Sequence, residues 1–234
     1  MSRKEGQARN DLKVRVKTAR GRKLSSTRWL ERQLNDPYVR EAKKLGYKSR
    51  AAFKLLELDE KFRFLKEGMT VIDLGAAPGG WMQVAAQKVG SVHGVGKVLG
   101  IDLLEIEHIP GCESMVMDFL DDDAEEILIA HLGSKVDVVL SDMAAATTGH
   151  KQTDHLRTMH LCECALSFAE KVLKPNGVFL AKVFQGGASQ DLMQQLKTTF
   201  DVVRHVKPKA SRKQSVELYV VALGFKAGHN ATIG

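Results

Sequence analysis

Short apolar segments alternate with amphipathic segments along most of the chain. The apolar segments read TVIDL (70–74), KVLGIDLL (97–104), ESMVMD (113–118), VDVVLSD (136–142) and VFLAKVF (178–184). Segments with apolar residues at helical spacing lie between and after them, at 80–89, 121–132, 153–173 and 188–200. Continuous Val, Ile and Leu runs between helices are typical of a parallel sheet covered on both faces. The pattern therefore predicts an α/β fold.

The last two apolar segments, DVVRHV (201–206) and VELYVVALGF (216–225), have no helical segment between them. Parallel neighbours need a long crossover, usually a helix, whereas antiparallel neighbours do not. We therefore expect these two strands to pair antiparallel. The residues KPNG (174–177) predict a turn between the long helix and the strand that follows it.

The N-terminal part of the chain has a different character. Residues 1–28 show little hydrophobic periodicity and predict a flexible basic arm, whereas residues 29–234 predict a single domain. Within that domain a helix is expected to begin after Asp36 as N-cap, with Pro37 at its first position, and to end at Gly46.

Charge is distributed unevenly. The formal net charge is +7, and residues 1–50 hold 16 Lys and Arg against 5 Asp and Glu, which leaves 19 against 23 in the remainder. A basic segment attached to a near-neutral body is the electrostatic pattern of a protein that binds a polyanion. A solvated tail that only aids solubility would have the same composition. Charge alone favours a nucleic-acid partner over that simpler explanation.

Several protein classes do not fit the sequence. There is no apolar run of about 18 residues, which a transmembrane helix would need, and the first residues lack the apolar region of a secretory signal. The 3 cysteines include no CxxC pair. We therefore predict reduced thiols, a cytoplasmic location, no membrane association and no metal site.

Three ligand classes compete for the glycine-containing turn in VIDLGAAPGGW (71–81). A P-loop requires a Lys followed by Ser or Thr, which is absent. A dinucleotide fingerprint would place Ala77 where a Gly must let the pyrophosphate approach. S-adenosylmethionine has a carboxylate, a sulfonium, a ribose and an adenine but no phosphate. The backbone N–H groups of Gly79, Gly80 and Trp81, at the start of a helix, would suit its carboxylate.

Acidic residues end the first four predicted strands, and they favour S-adenosylmethionine among these ligands. Asp73 could face the cationic part, Asp102 the ribose hydroxyls and Asp118 the adenine amino group, while Asp142 ends the fourth strand. Ligands of such sheets lie across the carboxyl ends of the strands. Each acid taken singly could instead cap the following helix, and the first two would also fit a nicotinamide-dependent oxidoreductase.

Three charged residues lie in apolar surroundings. Lys182 interrupts VFLAKVF, Lys54 lies within AAFKLLEL, and Glu217 opens the last strand. A buried charge is costly unless it is paired. The alternative is a side chain that reaches solvent along an apolar stem. For Lys182 we favour burial, whereas Lys54 considered alone fits the exposed alternative.

Taken together, the motifs VIDLGAAPGGW, DLL, MDF, LSDMA, AKVFQG and SRKQSVELYVVALG resemble the bacterial FtsJ/RrmJ (RlmE) family of ribosomal RNA large-subunit methyltransferases. The resemblance runs from about Trp29 to Phe225. One departure lies in the loop after the fourth strand, where the family has SDMAPN and this chain has SDMAAA. Asp142 is retained, whereas the loop that follows it differs from the family pattern.

The resemblance implies a Rossmann-like fold for an S-adenosylmethionine-dependent methyltransferase, with a seven-stranded, mostly parallel sheet whose last strand is antiparallel. It implies 2′-O-methylation of a uridine ribose in 23S, large-subunit ribosomal RNA, in support of late subunit maturation by a monomeric enzyme. The implied catalytic residues are Lys54, Asp142, Lys182 and Glu217. The implied cofactor-binding residues are Gly79, Trp81, Asp102, Asp118 and Asp142.

Elementary chemistry is consistent with those roles. A ribose hydroxyl is a weak nucleophile that must lose its proton as the methyl group moves. Two lysines held together disfavour each other's charge, so one of them is a candidate base. We expect Lys182 to take the proton or stabilise the oxyanion while Lys54 and Glu217 orient it. The basic arm and RHVKPKASRK (204–213) would contact phosphates, which positions RNA without reading its sequence.

Other functions remain open from the residues. A 2′-O-methyltransferase of transfer RNA or of an RNA cap would have the same active site. A non-catalytic RNA-binding assembly factor could retain the cofactor pocket, although the complete set of four catalytic candidates argues against it.

Overall fold

The computed structural model describes residue 21 and the ranges 24–145, 148–184 and 190–227. Its α-helices are α1 (Leu24–Asn35), α2 (Pro37–Leu45), α3 (Ala52–Phe62), α4 (Gly80–Val89), α5 (Ala124–Leu132), α6 (Lys151–Val172) and α7 (Gln190–Thr199). Its strands are β1 (Thr70–Leu74), β2 (Lys97–Asp102), β3 (Cys112–Val116), β4 (Val136–Ser141), β5 (Leu173–Phe184), β6 (Phe200–Val206) and β7 (Glu217–Phe225). A single 3₁₀ turn, Ser91–His93, follows α4.

The strands form one seven-stranded sheet in the order β3-β2-β1-β4-β5-β7-β6. The first five strands pair parallel, and β7 lies between β5 and β6, antiparallel to both. The predicted α/β class and the antiparallel last strand are confirmed. The strand order reverses between β1 and β4, and such a reversal opens a crevice at the carboxyl ends of the strands.

Helices cover both faces of the sheet, as continuous apolar strands require. One buried cluster joins α5, α6 and α7 to residues such as Ile72 and Val139. The second joins α3 and α4 to the alternate strand positions, such as Val71 and Val138. Successive strand residues point to opposite faces of the sheet. The strand side chains on the face of Val71 and Val138 are therefore the ones that α3 and α4 contact.

The helix predicted after Asp36 is confirmed as α2. Asp36 Oδ1 accepts a hydrogen bond from the N–H of Tyr38 at 3.0 Å, Pro37 occupies the first position, and Gly46 ends the helix with a φ of 77°. A helix, α1, begins at Leu24, inside the predicted arm of residues 1–28, and the domain boundary at residue 28 stays a prediction. Residues 1–20 of the expected arm lie outside the described residues.

The turn predicted at KPNG is a distortion inside β5. Val136 pairs with Leu173 and Val138 pairs with Val178, so β5 has additional residues between the two pairings. Asn176 there adopts a φ of 63°, a left-handed conformation that Asn tolerates better than most residues. The chain therefore leaves α6 and joins the sheet at once, with a bulge in place of a separate turn.

Candidate active site

The four acids that end the parallel strands meet at one edge of the sheet. A cavity of about 530 Å³ opens there, and Asp102, Asp118 and Asp142 line it. Its floor includes Gly75, whose φ of 77° and close approach to Met143 leave no space for a Cβ atom. The acids at the strand ends therefore predicted from the sequence where this cavity lies.

Backbone hydrogen bonds fix two of these carboxylates. Asp102 accepts from the N–H of Ala77 and from the N–H of Leu104, each at 2.9 Å. Asp118 accepts from the N–H of Leu120 at 2.9 Å. A carboxylate oxygen has two lone pairs, so each group can still accept a hydrogen bond from a ligand hydroxyl or amino group in the cavity.

Asp73 lies deeper than the sequence analysis anticipated. Its side chain is fully buried, and among the described residues neither carboxyl oxygen has a hydrogen-bond partner. Burial raises the pKa of Asp73 well above its ordinary value, and the nearby Asp142 and Asp102 raise it further. An acid without a counter-charge, beside two other acids, is suited to a cationic ligand. The sulfonium and ammonium groups of S-adenosylmethionine fit that requirement.

Gly79 and Trp81 do not line this cavity. Gly79 precedes α4, its N–H donates to the carbonyl of Ala76 at 2.7 Å, and a Cβ atom there would lie 2.2 Å from Ile109 Cδ1. The Trp81 ring is buried and donates to the carbonyl of Ala51 at 2.8 Å. Of the three amides expected to bind a ligand carboxylate, those of Gly80 and Trp81 remain at the helix start.

The far wall of the cavity comes from α6, which the sequence analysis did not assign. Arg157, His160 and Leu161 line it. Their spacing places all three on one face of the helix, because residues three and four apart are neighbours on a helix surface. That periodicity was present in the sequence, but it did not indicate which face would meet a ligand.

The catalytic candidates Lys54, Lys182, Asp142 and Glu217 converge. Lys182 Nζ lies 3.0 Å from Asp142 Oδ1 and donates to the Asp142 backbone carbonyl at 2.6 Å. Lys54 Nζ lies 3.8 Å from the other oxygen of that carboxylate, Oδ2, and 3.0 Å from Glu217 Oε1. Both lysine side chains are more than nine-tenths buried. We call this group of side chains the charged cluster.

Tyr219 completes the charged cluster, and the sequence analysis missed it. Its hydroxyl accepts a hydrogen bond from Lys54 Nζ at 2.9 Å and donates one to Asp142 Oδ1 at 2.7 Å. The ring is fully buried and packs against Trp81 at a centroid distance of 5.7 Å. The sequence could have indicated this position, because Tyr219 lies two residues after Glu217 in β7 and their side chains therefore point to the same face of the sheet.

The electrostatics of the charged cluster keep Asp142 ionised and Tyr219 protonated. Burial alone would raise the pKa of Asp142, but Lys182, Lys54 and the Tyr219 hydrogen bond outweigh burial and lower that pKa. Burial raises the pKa of Tyr219 well above its ordinary value, and the carboxylates of Asp142 and Glu217 add to the shift. The Tyr219 hydroxyl therefore donates its hydrogen bond to a carboxylate whose pKa is lowered.

A second cavity, of about 400 Å³, lies against the charged cluster. Lys54 and Glu217 line it, together with Arg32, Arg50, Arg212, Gln214 and Ser215. Asp142 belongs to the first cavity and contacts Lys54 of the second. The charged cluster thus separates an acidic cavity from a cavity rich in guanidinium groups, an arrangement that suits transfer between a cationic ligand and an anionic one.

The described part of the chain contains no group of three or more His, Cys, Asp and Glu residues placed to hold a metal ion. None of its helices combines the length and apolar character that a membrane span requires.

Comparisons with known proteins point to one family. Residues 47–225 match the model of the FtsJ-like methyltransferase family. A protein of Bradyrhizobium diazoefficiens named ribosomal RNA large subunit methyltransferase E is 63% identical over 220 residues, which cover 94% of this chain and 96% of the relative. A protein of the same name from Paramagnetospirillum magneticum is 61% identical over 223 residues, 94% of this chain and 91% of the relative.

Solved structures agree with the fold. A ribosomal RNA methyltransferase structure from Plasmodium falciparum superposes with a TM-score of 0.67 at 31% identity and covers 76% of this chain and 98% of that one. A fibrillarin/Nop5p complex matches at a TM-score of 0.53 and 14% identity, over 74% of this chain and 83% of that one. At that low identity the second match supports the fold alone.

The buried Asp73 carboxyl predicts a pH-dependent stability. In the unfolded chain an Asp ionises near pH 4, whereas the raised pKa keeps folded Asp73 protonated to higher pH. The unfolded state therefore binds fewer protons above about pH 4, and the folded state loses stability as the pH rises. Asp73→Asn removes this penalty. We expect the melting temperature of the ligand-free variant to exceed that of the parent at pH 7–8, with the difference shrinking toward pH 4.

The control for Asp73 is Asp201→Asn, which removes an exposed acid whose contact with Lys226 is 3.7 Å long. This control should show no comparable trend with pH. A difference between Asp73→Asn and the parent that stays constant from pH 4 to pH 8 would contradict the assignment of a neutral carboxyl.

Loss of the Tyr219 hydroxyl should destabilise the charged cluster. Tyr219→Phe removes an acceptor from Lys54 and a donor from Asp142, both buried, so we expect a loss of about 1–3 kcal/mol in the free energy of unfolding. Urea titration followed by tryptophan fluorescence measures it. Tyr47→Phe is the matched control, because its hydroxyl makes only an exposed 3.3 Å contact with Gln87. Equal losses in the two variants would contradict a buried bridging role.

Proposed function

The chain belongs to the FtsJ-like methyltransferase family, and from that premise we propose that it transfers a methyl group from S-adenosylmethionine to the 2′-oxygen of a uridine ribose in large-subunit ribosomal RNA. Its place of action is the cytoplasm, in late maturation of the large ribosomal subunit. The observation that carries the proposal is the convergence of Lys54 and Lys182 on the Asp142 carboxylate.

The first cavity would hold the cofactor. Asp102 would accept from the ribose hydroxyls, Asp118 from the adenine amino group, and Asp142 would face the cationic end, with Asp73 buried nearby outside the cavity lining. The carboxylate of the cofactor would extend past the lining of this cavity to the Gly80 and Trp81 amides at the start of α4, which Gly79 precedes as the N-cap. When bound, the cofactor supplies a methyl group on a sulfonium, an electrophile that needs no metal.

The charged cluster would activate the RNA hydroxyl. The 2′-hydroxyl would enter from the second cavity and donate to the neutral amine form of Lys182. That amine would take the proton as the methyl group leaves the sulfonium for the 2′-oxygen. A 3.0 Å contact joins Lys182 Nζ to Asp142, which lines the first cavity. Glu217 and Tyr219 hold Lys54 beside the same carboxylate. The Lys54 ammonium, and Lys182 once it has taken the proton, would thus present positive charge where the oxyanion develops, in surroundings that exclude most water.

Three facts support ribosomal RNA as the substrate. The relatives at 61% and 63% identity are named as methyltransferases of large-subunit ribosomal RNA. Arginine side chains line the second cavity, and guanidinium groups match phosphate geometry. The excess of positive charge lies in residues 1–50, which provides further phosphate contacts without sequence readout.

Mass mapping of modified nucleosides tests the proposed substrate. Large-subunit ribosomal RNA, small-subunit ribosomal RNA and transfer RNA from cells with and without the gene are digested and compared. We expect one 2′-O-methyluridine of the large-subunit RNA to disappear without the gene and to return on complementation. Loss of a methyl group from transfer RNA alone, or an unchanged large-subunit map, would contradict the proposal.

Lys182→Ala tests the proposed base. Removal of a general base costs about 10²–10⁴-fold in rate, so we expect kcat to fall by at least about 100-fold while cofactor affinity changes little. Methyl transfer from labelled cofactor to the mapped RNA measures it, with thermal unfolding to verify the fold. Lys174→Ala on the same strand is the control, because Lys174 pairs with Asp137 away from both cavities. Turnover of Lys182→Ala near the parent rate would contradict the proposed role of Lys182 as the base.

A further inference from the structure

Asp36 has more contacts than a helix cap requires. Its Oδ1 caps α2 through the N–H of Tyr38, while its Oδ2 lies 2.9 Å from Arg50 Nε and 3.6 Å from Arg212 Nε. The Asp36 side chain is only 8% exposed. A neutral side-chain oxygen caps a helix as well as a carboxylate does, since Asn and Asp rank together as N-caps. The buried negative charge therefore requires a reason other than the cap.

The reason lies in the two arginines. Arg50 and Arg212 are far apart in the chain, carry the same charge and line the second cavity together. The Asp36 carboxylate lies between them and offsets their repulsion. One carboxylate and two guanidinium groups contribute one net positive charge to the cavity wall, where Lys54 and Glu217 offset each other and Arg32 adds a further positive charge. A phosphodiester carries one negative charge, so the trio matches a single RNA phosphate.

Both guanidinium groups are anchored yet accessible. The Arg50 guanidinium donates to the carbonyl of Ala210 and lies 5.6 Å from the centre of the Tyr38 ring. The side chains of Arg50 and Arg212 remain 16% and 33% exposed. In both arginines Nε is the atom nearest to Asp36. Of the five N–H donors of a guanidinium, four lie on the two terminal nitrogens. One terminal nitrogen of Arg50 donates to Ala210, so a ligand would use the remaining terminal donors.

The loop that carries Arg212 is tied to the same helices. Glu57, on α3, accepts from the N–H of Lys209 at 2.6 Å and from the N–H of Ala210 at 3.1 Å. These bonds fix the β6–β7 connection beside α2 and α3. The backbone of this loop is thus held by Glu57, and the contact with Asp36 orients the side chain of Arg212.

We infer that Asp36 is a positioning residue that holds Arg50 and Arg212 so that they grip one phosphate of the RNA substrate next to Lys54. The inference rests on the proposed function and adds a specific phosphate contact to it. Asp36 does not itself touch the RNA. It acts by fixing the direction of two guanidinium groups, which lowers the entropy lost when the phosphate binds.

Asp36→Asn tests the inference, because Asn preserves the cap and removes the charge. Simple charge arithmetic predicts tighter RNA binding, since the variant is more positive by one unit. The positioning role predicts weaker binding, by about tenfold, with a matching rise in KM for RNA. We expect kcat within about twofold of the parent and unchanged cofactor affinity. The slope of log Kd against log salt should fall by about one, as for one lost phosphate contact.

The experiment uses the full chain and a labelled single-stranded RNA fragment that contains the mapped uridine. Glu41→Gln on α2 is the charge-matched control, because Glu41 pairs only at 3.7 Å with exposed Lys44. Its RNA affinity should equal or exceed that of the parent. RNA affinity of Asp36→Asn at or above that of Glu41→Gln would overturn the inference.

A second variant guards against a simple folding defect. Arg212→Gln should weaken RNA binding to a similar degree, and the double variant Asp36→Asn/Arg212→Gln should lose little more than either single variant, because both changes break the same contact. Fully additive losses would overturn the positioning role.

Failure of the parent to methylate RNA would instead overturn the proposed function, and the direct binding comparison would still decide the role of Asp36.

Discussion

The attraction between one carboxylate and two buried ammonium groups organises the centre of this protein. Asp142 follows β4, Lys182 lies on β5 and Lys54 on α3, so the charged cluster ties three elements together. Leaving a buried charge without its partner costs about 3–5 kcal/mol. Asp142 is the carboxylate partner of buried Lys182, it shares Lys54 with Glu217, and the two lysines in turn lower the pKa of Asp142 against the effect of burial. The partition into an acidic and a guanidinium-rich cavity follows from that mutual dependence.

Much of this arrangement could be predicted from the sequence. Acids at the ends of apolar strands indicated the ligand edge, because parallel strands all end at the same side of a sheet. Lys182 stood out because a charge inside an apolar strand demands a partner. The face of the sheet to which Lys182 points also follows from the strand pattern. Leu180 packs in the cluster beneath α3 and α4, so Lys182, two residues later, points toward Lys54. Glu217 stood out in β7 for the same reason as Lys182, because it is a charge in an apolar strand.

Other features depend on tertiary contacts that no local pattern encodes. Tyr219 reads as an ordinary β-strand aromatic, and only the meeting of β7 with α3 makes its hydroxyl a bridge. The burial of Asp73 depends on packing around the end of β1, so its sequence position did not distinguish it from Asp102. Asp36 reads as a helix cap, which it is. Its contacts with Arg50 and Arg212 arise because the β6–β7 connection returns to α2, a proximity between distant parts of the chain.

The insertion of β7 between β5 and β6 determines when the molecule can be completed. β6 is made before β7 but pairs only with it in the sheet, so on a translating ribosome β6 has no strand to join until β7 has emerged. The same late strand delivers Glu217 and Tyr219. A nascent chain therefore lacks the complete charged cluster until β7 has been made, and the same strand supplies the only described partner of β6 in the sheet.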